Sequence, residues 1–338
     1  MRSVLPYLVF VAAVAAGAQS PAGLNFDRTI PLSGVSGKFD HFAVDLAGRR
    51  LFAAATGNHS VEVIDLNTDK VAQSIGGLGK PHGLAWVPST GSLYVADGTL
   101  AELRVYKGSP LALAGKIKLS DDADDMVYDR ATQTLFVGHG GSDSANPAAI
   151  AVVDTSKFAR IADLPVPSHP EALELDPAGR RVFANIADSN EIAVISTARR
   201  KIEATWKLQD AADNVPVAFD GSANTLYVAC RKPPTLLAVD ARTGRQVSKA
   251  PSGAGADDLF FDPALHRLYL ISGAGEVDSY ETNASGALDA AMVTRTESGA
   301  KTALFVPELH SLFVGVPGTE GRAAEIRVFE TANPQASR

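Results

Sequence analysis

The chain has 338 residues, 46% of them hydrophobic, 20% charged and 7% aromatic, with a formal net charge of −7 at pH 7. That apolar fraction excludes a disordered chain, 29 Gly and 19 Pro are too few for a collagen-like or low-complexity one, and no heptad supports a coiled coil. The acidic balance argues against a nucleic-acid partner, because meeting phosphates takes a basic face.

The first 18 residues read MRSVLPYLVFVAAVAAGA. Arg2 gives a positive start, an apolar run follows, and Ala16-Gly17-Ala18 closes it with the small-x-small pattern of a cleavage site. The run is shorter than the roughly 20 residues a bilayer span requires. Residues 1–18 therefore predict a secretory signal, and the mature chain is expected to be exported, periplasmic or secreted, and monomeric. Cys230 is the one cysteine, so no intramolecular disulfide forms. It sits in the strand-like run Leu226-Tyr227-Val228-Ala229-Cys230 and reads as a small core residue.

A two-residue apolar–aromatic signature organises the remainder. It recurs seven times, at Leu51-Phe52, Leu93-Tyr94, Leu135-Phe136, Val182-Phe183, Leu226-Tyr227, Leu268-Tyr269 and Leu312-Phe313, with spacings of 42 to 47 residues. An apolar strand precedes each copy, as at 41–45, 83–87, 125–129, 172–176, 216–220 and 258–262, and an Asp-containing turn joins the two. A third strand follows, as at 61–65, 150–154, 192–195 and 237–240, then a turn and a fourth. Short strands with turns every 8–12 residues mean an all-β fold, and four strands in a repeat of about 40–45 residues make a propeller blade.

The seventh copy supplies three strands, at 302–306, 311–316 and 325–330. Residues 24–32 offer the missing fourth, which would close the ring and remove a sheet edge. The sequence thus predicts one seven-bladed β-propeller of four-stranded blades over 19–331, closed by an N-terminal strand, with 332–338 as a disordered tail. Pro81-His82-Gly83-Leu84-Ala85 with Leu93-Tyr94-Val95-Ala96-Asp97, and Leu226-Tyr227-Val228-Ala229 with Ala238-Val239-Asp240, resemble the YVTN-type β-propeller repeat family. The resemblance covers about residues 24–331 and implies an exported bacterial propeller. It is specific for fold and weak for function, since related propellers include lactonases and lyases but fold alone assigns no reaction.

Counting back twelve residues from each signature aromatic lands where the chain enters the innermost strand of each blade. The residues there are Asp40, His82, Asp124, Glu171, Val215, Asp257 and Lys301, followed by His41, Gly83, Asp125, Ala172, Pro216, Asp258 and Thr302. Neutral turn residues are the expectation for repeats without a shared task, and four acids, a His and a Lys depart from it. Exits from the second strands add Asp97 and His139, and His59, Asp143, His169, Asp188, Arg231 and Lys232 fall on the same face. His266 and His310 fall in turns on the opposite face and are expected to be solvated. The Asp residues that recur after the first and third strands read as turn formers.

Carboxylates converging on a channel raise one another's pKa unless water or a cation compensates. A divalent cation is one answer: Ca or Mg would use the carboxylate oxygens, and Zn would suit mixed His and carboxylate ligands. A hydrated polar mouth without an ion is another. The leading reading is a binding or scaffold protein whose unknown small-molecule or protein ligand meets this acidic, His-containing mouth. The alternative is a metal-dependent hydrolase or lyase, lactonase-like. In it some of Asp124, Glu171, Asp257 and His82 hold the cation, and Asp125, Asp258 or His139 acts as general base.

Overall fold

The computed structural model describes residues 23–331 apart from 142–144, 177, 179, 290 and 291. The expected signal segment 1–18, the tail 332–338 and Asp143 lie outside the described residues. Seven four-stranded antiparallel sheets form a seven-bladed β-propeller. Each of the first six blades runs in simple chain order from its innermost strand outward. Their innermost strands are Phe42–Asp45, Pro81–Val87, Met126–Asp129, Pro170–Leu175, Ala212–Asp220 and Ala256–Asp262.

The seventh blade is built from both ends of the described chain. Thr302–Val306, Ser311–Val316 and Ala324–Glu330 supply three strands, and Asn25–Leu32 pairs with the last as the outermost. In that pairing Ile30 lies opposite Ile326 and Leu32 opposite Ala324. The closing strand fits because its inward residues, Ile30 and Leu32, are fully buried while Arg28, Thr29 and Pro31 stay at the surface. Among the described residues no helix is long and apolar enough to cross a membrane.

All seven signature aromatics (Phe52, Tyr94, Phe136, Phe183, Tyr227, Tyr269 and Phe313) are fully buried. They sit in apolar clusters shared between neighbouring blades. Phe52, Val61 and Val63 of the first blade meet Leu84, Leu93 and Val95 of the second, and Phe313 and Ile326 of the last meet Leu51 and Ile64 of the first. A twisted sheet alternates its side chains between two faces, and each face here is covered by the next blade. Trp86 stacks on Phe52 at 5.5 Å and Trp206 lies 6.0 Å from Phe183, so both tryptophans pack. Cys230 is buried in one such cluster, and burial pushes its thiol up to about 12, leaving it unreactive.

The repeating Asp residues are turn formers. Asp129, Asp176, Asp220 and Asp262 each accept a hydrogen bond at 2.8–2.9 Å from the backbone N–H two residues on. Asp65, Asp154 and Asp240 do the same after third strands. His266 and His310 occupy exposed left-handed turn positions, at φ 49° and 48°. Several innermost strands begin earlier than the repeat predicts, because pairing resumes beyond an irregularity at their entrance. The register shifts between Pro81 and Leu84, between Pro170 and Ala172, between Asn214 and Val217, and between Ala256 and Asp258.

If ring closure rests on the buried face of the N-terminal strand, Ile30→Ala should lower unfolding free energy by about 2–5 kcal/mol. Val293→Thr on the exposed part of an outer strand should change it by less than about 0.5 kcal/mol. Urea unfolding of the two variants checks both.

Candidate functional site

The register shifts create the site. In a regular strand consecutive side chains point to opposite faces, and a bulge breaks that alternation by setting two residues against one. Asp40 donates its N–H to Ala54 O at 2.9 Å, and Ala54 donates back to His41 O at 3.1 Å. Asp124, Asp125 and Gly138 repeat the arrangement at 2.9 and 3.0 Å. Consecutive polar pairs, Asp40-His41, Asp124-Asp125 and Asp257-Asp258, thereby turn toward one channel. Gly83 stands at the same position in the second blade because a Cβ there would meet the Asp124 carbonyl oxygen at 2.2 Å.

At the rim, Asp124 lies between two imidazoles. Its Oδ1 is 3.3 Å from His82 Nδ1 and its Oδ2 is 3.3 Å from His169 Nε2. Asp40 Oδ2 approaches His82 Nδ1 to 2.7 Å. Glu171 joins Asp124 and His169, with one donor atom of each residue within 4.8 Å of the others. His169 Nδ1 faces the Gly140 carbonyl at 2.8 Å, so that nitrogen carries the proton and donates.

Below the rim, His41 reaches across the axis. Its Nε2 is 3.6 Å from Asp40 Oδ1, 3.8 Å from Asp124 Oδ1 and 4.0 Å from Asp125 Oδ1, and its Nδ1 is 3.6 Å from Asp258 Oδ1. Asp125 and Asp258 also join blades. Leu173 N–H donates to Asp125 Oδ2, and Ala303 N–H to Asp258 Oδ2, each at 2.7 Å. Between these carboxylates lies a throat cavity of about 180 Å³, lined by residues that include Phe42, Leu84, Leu259, Phe260 and Glu174.

Of the ten residues the sequence singles out, Asp40, His41, His82, Asp124, Asp125, Glu171 and Asp258 converge. Asp257 faces the same channel but is held in an ion pair with Lys301 at 2.6 Å and with Arg231. Lys301 thus balances a charge and offers no ligand atom. His139 lies behind the rim, near His169 but outside the cluster of carboxylates. It is buried, its Nδ1 accepts from Ser120 N–H at 3.2 Å, and its Nε2 lies 3.5 Å from Asp163 on the outermost strand of its blade. Asp97, at the equivalent position, likewise ties down the loop through Gly79 and Lys80 N–H. His59 bonds the Gly79 carbonyl and Lys232 pairs with Asp213.

His169, noted in the sequence only as lying on the right face, proves central, and Glu174 was missed. A signal for Glu174 existed. Nine residues before each aromatic stand Ala43, Ala85, Val127, Glu174, Ala218, Phe260 and Leu304, a layer with one charge.

The electrostatics follow from crowding. Burial pushes the His41 imidazolium down, but the carboxylates of Asp125, Asp40, Asp258 and Asp124 outweigh it and raise it to about 10. His82 and His169 rise to about 9 against the same burial, held by Asp124 and, for His82, by Asp40. Burial opposes the charge on Asp124 as well, yet His169 and His82 on either side hold its carboxyl far below the usual range. Carboxyls that are not flanked by two imidazoles as Asp124 is shift the other way. Burial raises Asp258 to about 7, with His41 opposing, and burial together with Asp125 raises Glu174 to about 8.

The fold defines a seven-bladed β-propeller, and comparisons with known proteins agree. The chain is similar to a chain of Kuenenia stuttgartiensis hydrazine synthase, with a TM-score of 0.76 and 17% identity over 89% of this chain and 97% of that one. It is also similar to a chain of the mitotic checkpoint complex, with a TM-score of 0.77 and 13% identity over 98% and 99%. At these identities the likeness shows the fold alone. No known family profile matches the chain, and no curated protein matches it.

Asp258, Glu174 and the three histidines hold their protons to higher pH in the folded state than in the unfolded chain. Each such contribution is full below the unfolded pKa and is lost as pH passes the folded one. The metal-free protein should therefore lose stability as pH rises from 5 to 9. Glu174→Gln, which removes a carboxyl that must ionise in the throat, should raise stability at pH 9 by on the order of 1–2 kcal/mol. Urea unfolding across that pH range checks both.

Proposed function

We propose that the protein is an exported propeller that binds a small ligand carrying a positively charged group in the throat of its channel. The observation behind this reading is the mixed lining of the 180 Å³ cavity, where Phe42, Leu84, Leu259 and Phe260 stand beside His41 and the carboxylates of Asp125, Glu174, Asp257 and Asp258. A site of that kind fixes an apolar body by contact and a charged head by a few placed polar groups. Its volume is below the roughly 300–1,000 Å³ of pockets for drug-sized molecules, so the ligand has few heavy atoms. The nearby cations Lys301 and Arg231 both face Asp257. That leaves His41 as the group an incoming ammonium would displace from Asp258.

A propeller scaffold fits a binding role, and the small-residue cleavage pattern at 16–18 supports export. The YVTN-like repeat grammar supports placing the chain among exported bacterial propellers. The hydrolase or lyase alternative draws no support from either similar structure.

Calorimetric titration in chelator-treated buffer at pH 8 tests the reading, with ethanolamine and putrescine as amine probes and acetate and succinate as anionic counterparts. The amines should bind and the anions should not, and Asp258→Asn should weaken amine binding at least tenfold. Failure of both amines to bind, or acetate binding as tightly, contradicts the reading.

A further inference from the structure

We infer that the rim holds a pair of first-row divalent cations of the zinc class, bridged by the carboxylate of Asp124. One subsite is Asp40, His82 and Asp124, and the other is Asp124, His169 and Glu171. None of these five residues lines the throat cavity, and the inference stands whether or not an amine enters it.

Asp124 divides its two oxygens between the subsites. Oδ1 faces His82 and Oδ2 faces His169, each at 3.3 Å. Tetrahedral zinc, with bonds of about 2.0–2.1 Å, sets neighbouring ligand atoms about 3.3–3.4 Å apart. A carboxylate that presents one oxygen to each of two such sets is placed to bridge them.

The imidazoles are arranged as ligands as well. His82 is 5% exposed, and neither of its ring nitrogens makes a hydrogen bond. Its Nδ1 lies close to Asp40 Oδ2 and Asp124 Oδ1, but off the direction in which an N–H would donate. Asp124 Oδ1 is likewise buried without a hydrogen bond. Such groups are costly to bury unless something satisfies them, and a cation among the three atoms satisfies all of them together. His169 is oriented as metal-binding histidines are. Its Nδ1–H is fixed on the Gly140 carbonyl, which leaves Nε2 to face Asp124 and Glu171.

The donor set selects the ion. Calcium takes six to eight oxygens, and magnesium keeps an octahedral, oxygen-rich shell. Two imidazoles and three carboxylates in so tight a space suit zinc or a neighbouring first-row metal instead. Three protein ligands on each ion leave a position for water or a ligand.

Full-length mature protein, stripped with chelator, loaded with zinc sulfate and freed of excess by gel filtration, provides the test by elemental analysis and zinc titration. Two zinc ions per chain are expected. His82→Ala should retain one, His169→Ala and Glu171→Ala should each retain one, and Asp124→Asn should weaken both by at least a hundredfold. His310→Ala, in an opposite-face turn, should retain two. Circular dichroism in chelator shows whether each variant is folded, and the separate half-site variants keep the test decisive if Asp124→Asn is not. Absence of retained zinc in the wild-type protein overturns the inference. So does a single zinc abolished alike by His82→Ala and His169→Ala, which would mean one mononuclear site.

Discussion

Carboxylates that meet on one axis must be neutralised where they stand, and the mouth of this propeller is arranged around that requirement. Asp40, Asp124, Asp125, Glu171, Glu174, Asp257 and Asp258 all face the channel, while Lys301 and Arg231 pair with Asp257, Arg231 also donating to the Ala256 carbonyl. The remainder depends on His41, His82 and His169, each within 4.0 Å of at least one of the carboxylates. In the metal-free protein the neutralising charges are protons on these imidazoles. The proposed rim cations would take their place, and occupancy of the mouth would then be coupled to pH and to stability.

The same carboxylates help to build the ring. Asp125 and Asp258 each accept an N–H from the next blade's innermost strand, so they tie neighbouring blades at the axis, where no apolar side chain would satisfy those donors. This dual role explains why acids tolerate burial there. Hydrogen bonds to the backbone offset part of the desolvation that burial imposes. The channel is graded as a result. Its rim sets Asp40, Asp124 and Glu171 against two imidazoles, whereas its throat sets carboxylates among apolar residues such as Phe42 and Phe260.

Most of the fold was legible because its period is written in bulky residues. Seven aromatics at near-constant spacing each fill the space between two blades, and all seven are fully buried. The Asp residues of the turns were equally readable, since their side chains act on their own backbone. The site was legible in part, because counting back from Phe52, Phe136 and Tyr269 lands on Asp40, Asp124 and Asp257. Counting does not show that bulges turn both members of each pair inward, nor that His139, at a strand exit, folds under a loop toward Asp163. His169 precedes its innermost strand by one residue and is drawn in by the Gly140 carbonyl, a contact that no repeat spacing encodes.

With no metal bound, the crowded carboxylates should keep the channel histidines positively charged. Nitrogen NMR of ¹⁵N-histidine-labelled, chelator-treated protein at pH 8 measures this directly. Imidazolium signals at both ring nitrogens of His41, His82 and His169, assigned by single substitutions, are the predicted result. Neutral-tautomer signals for all three would mean that the carboxylates do not act on the histidines as one field at the mouth.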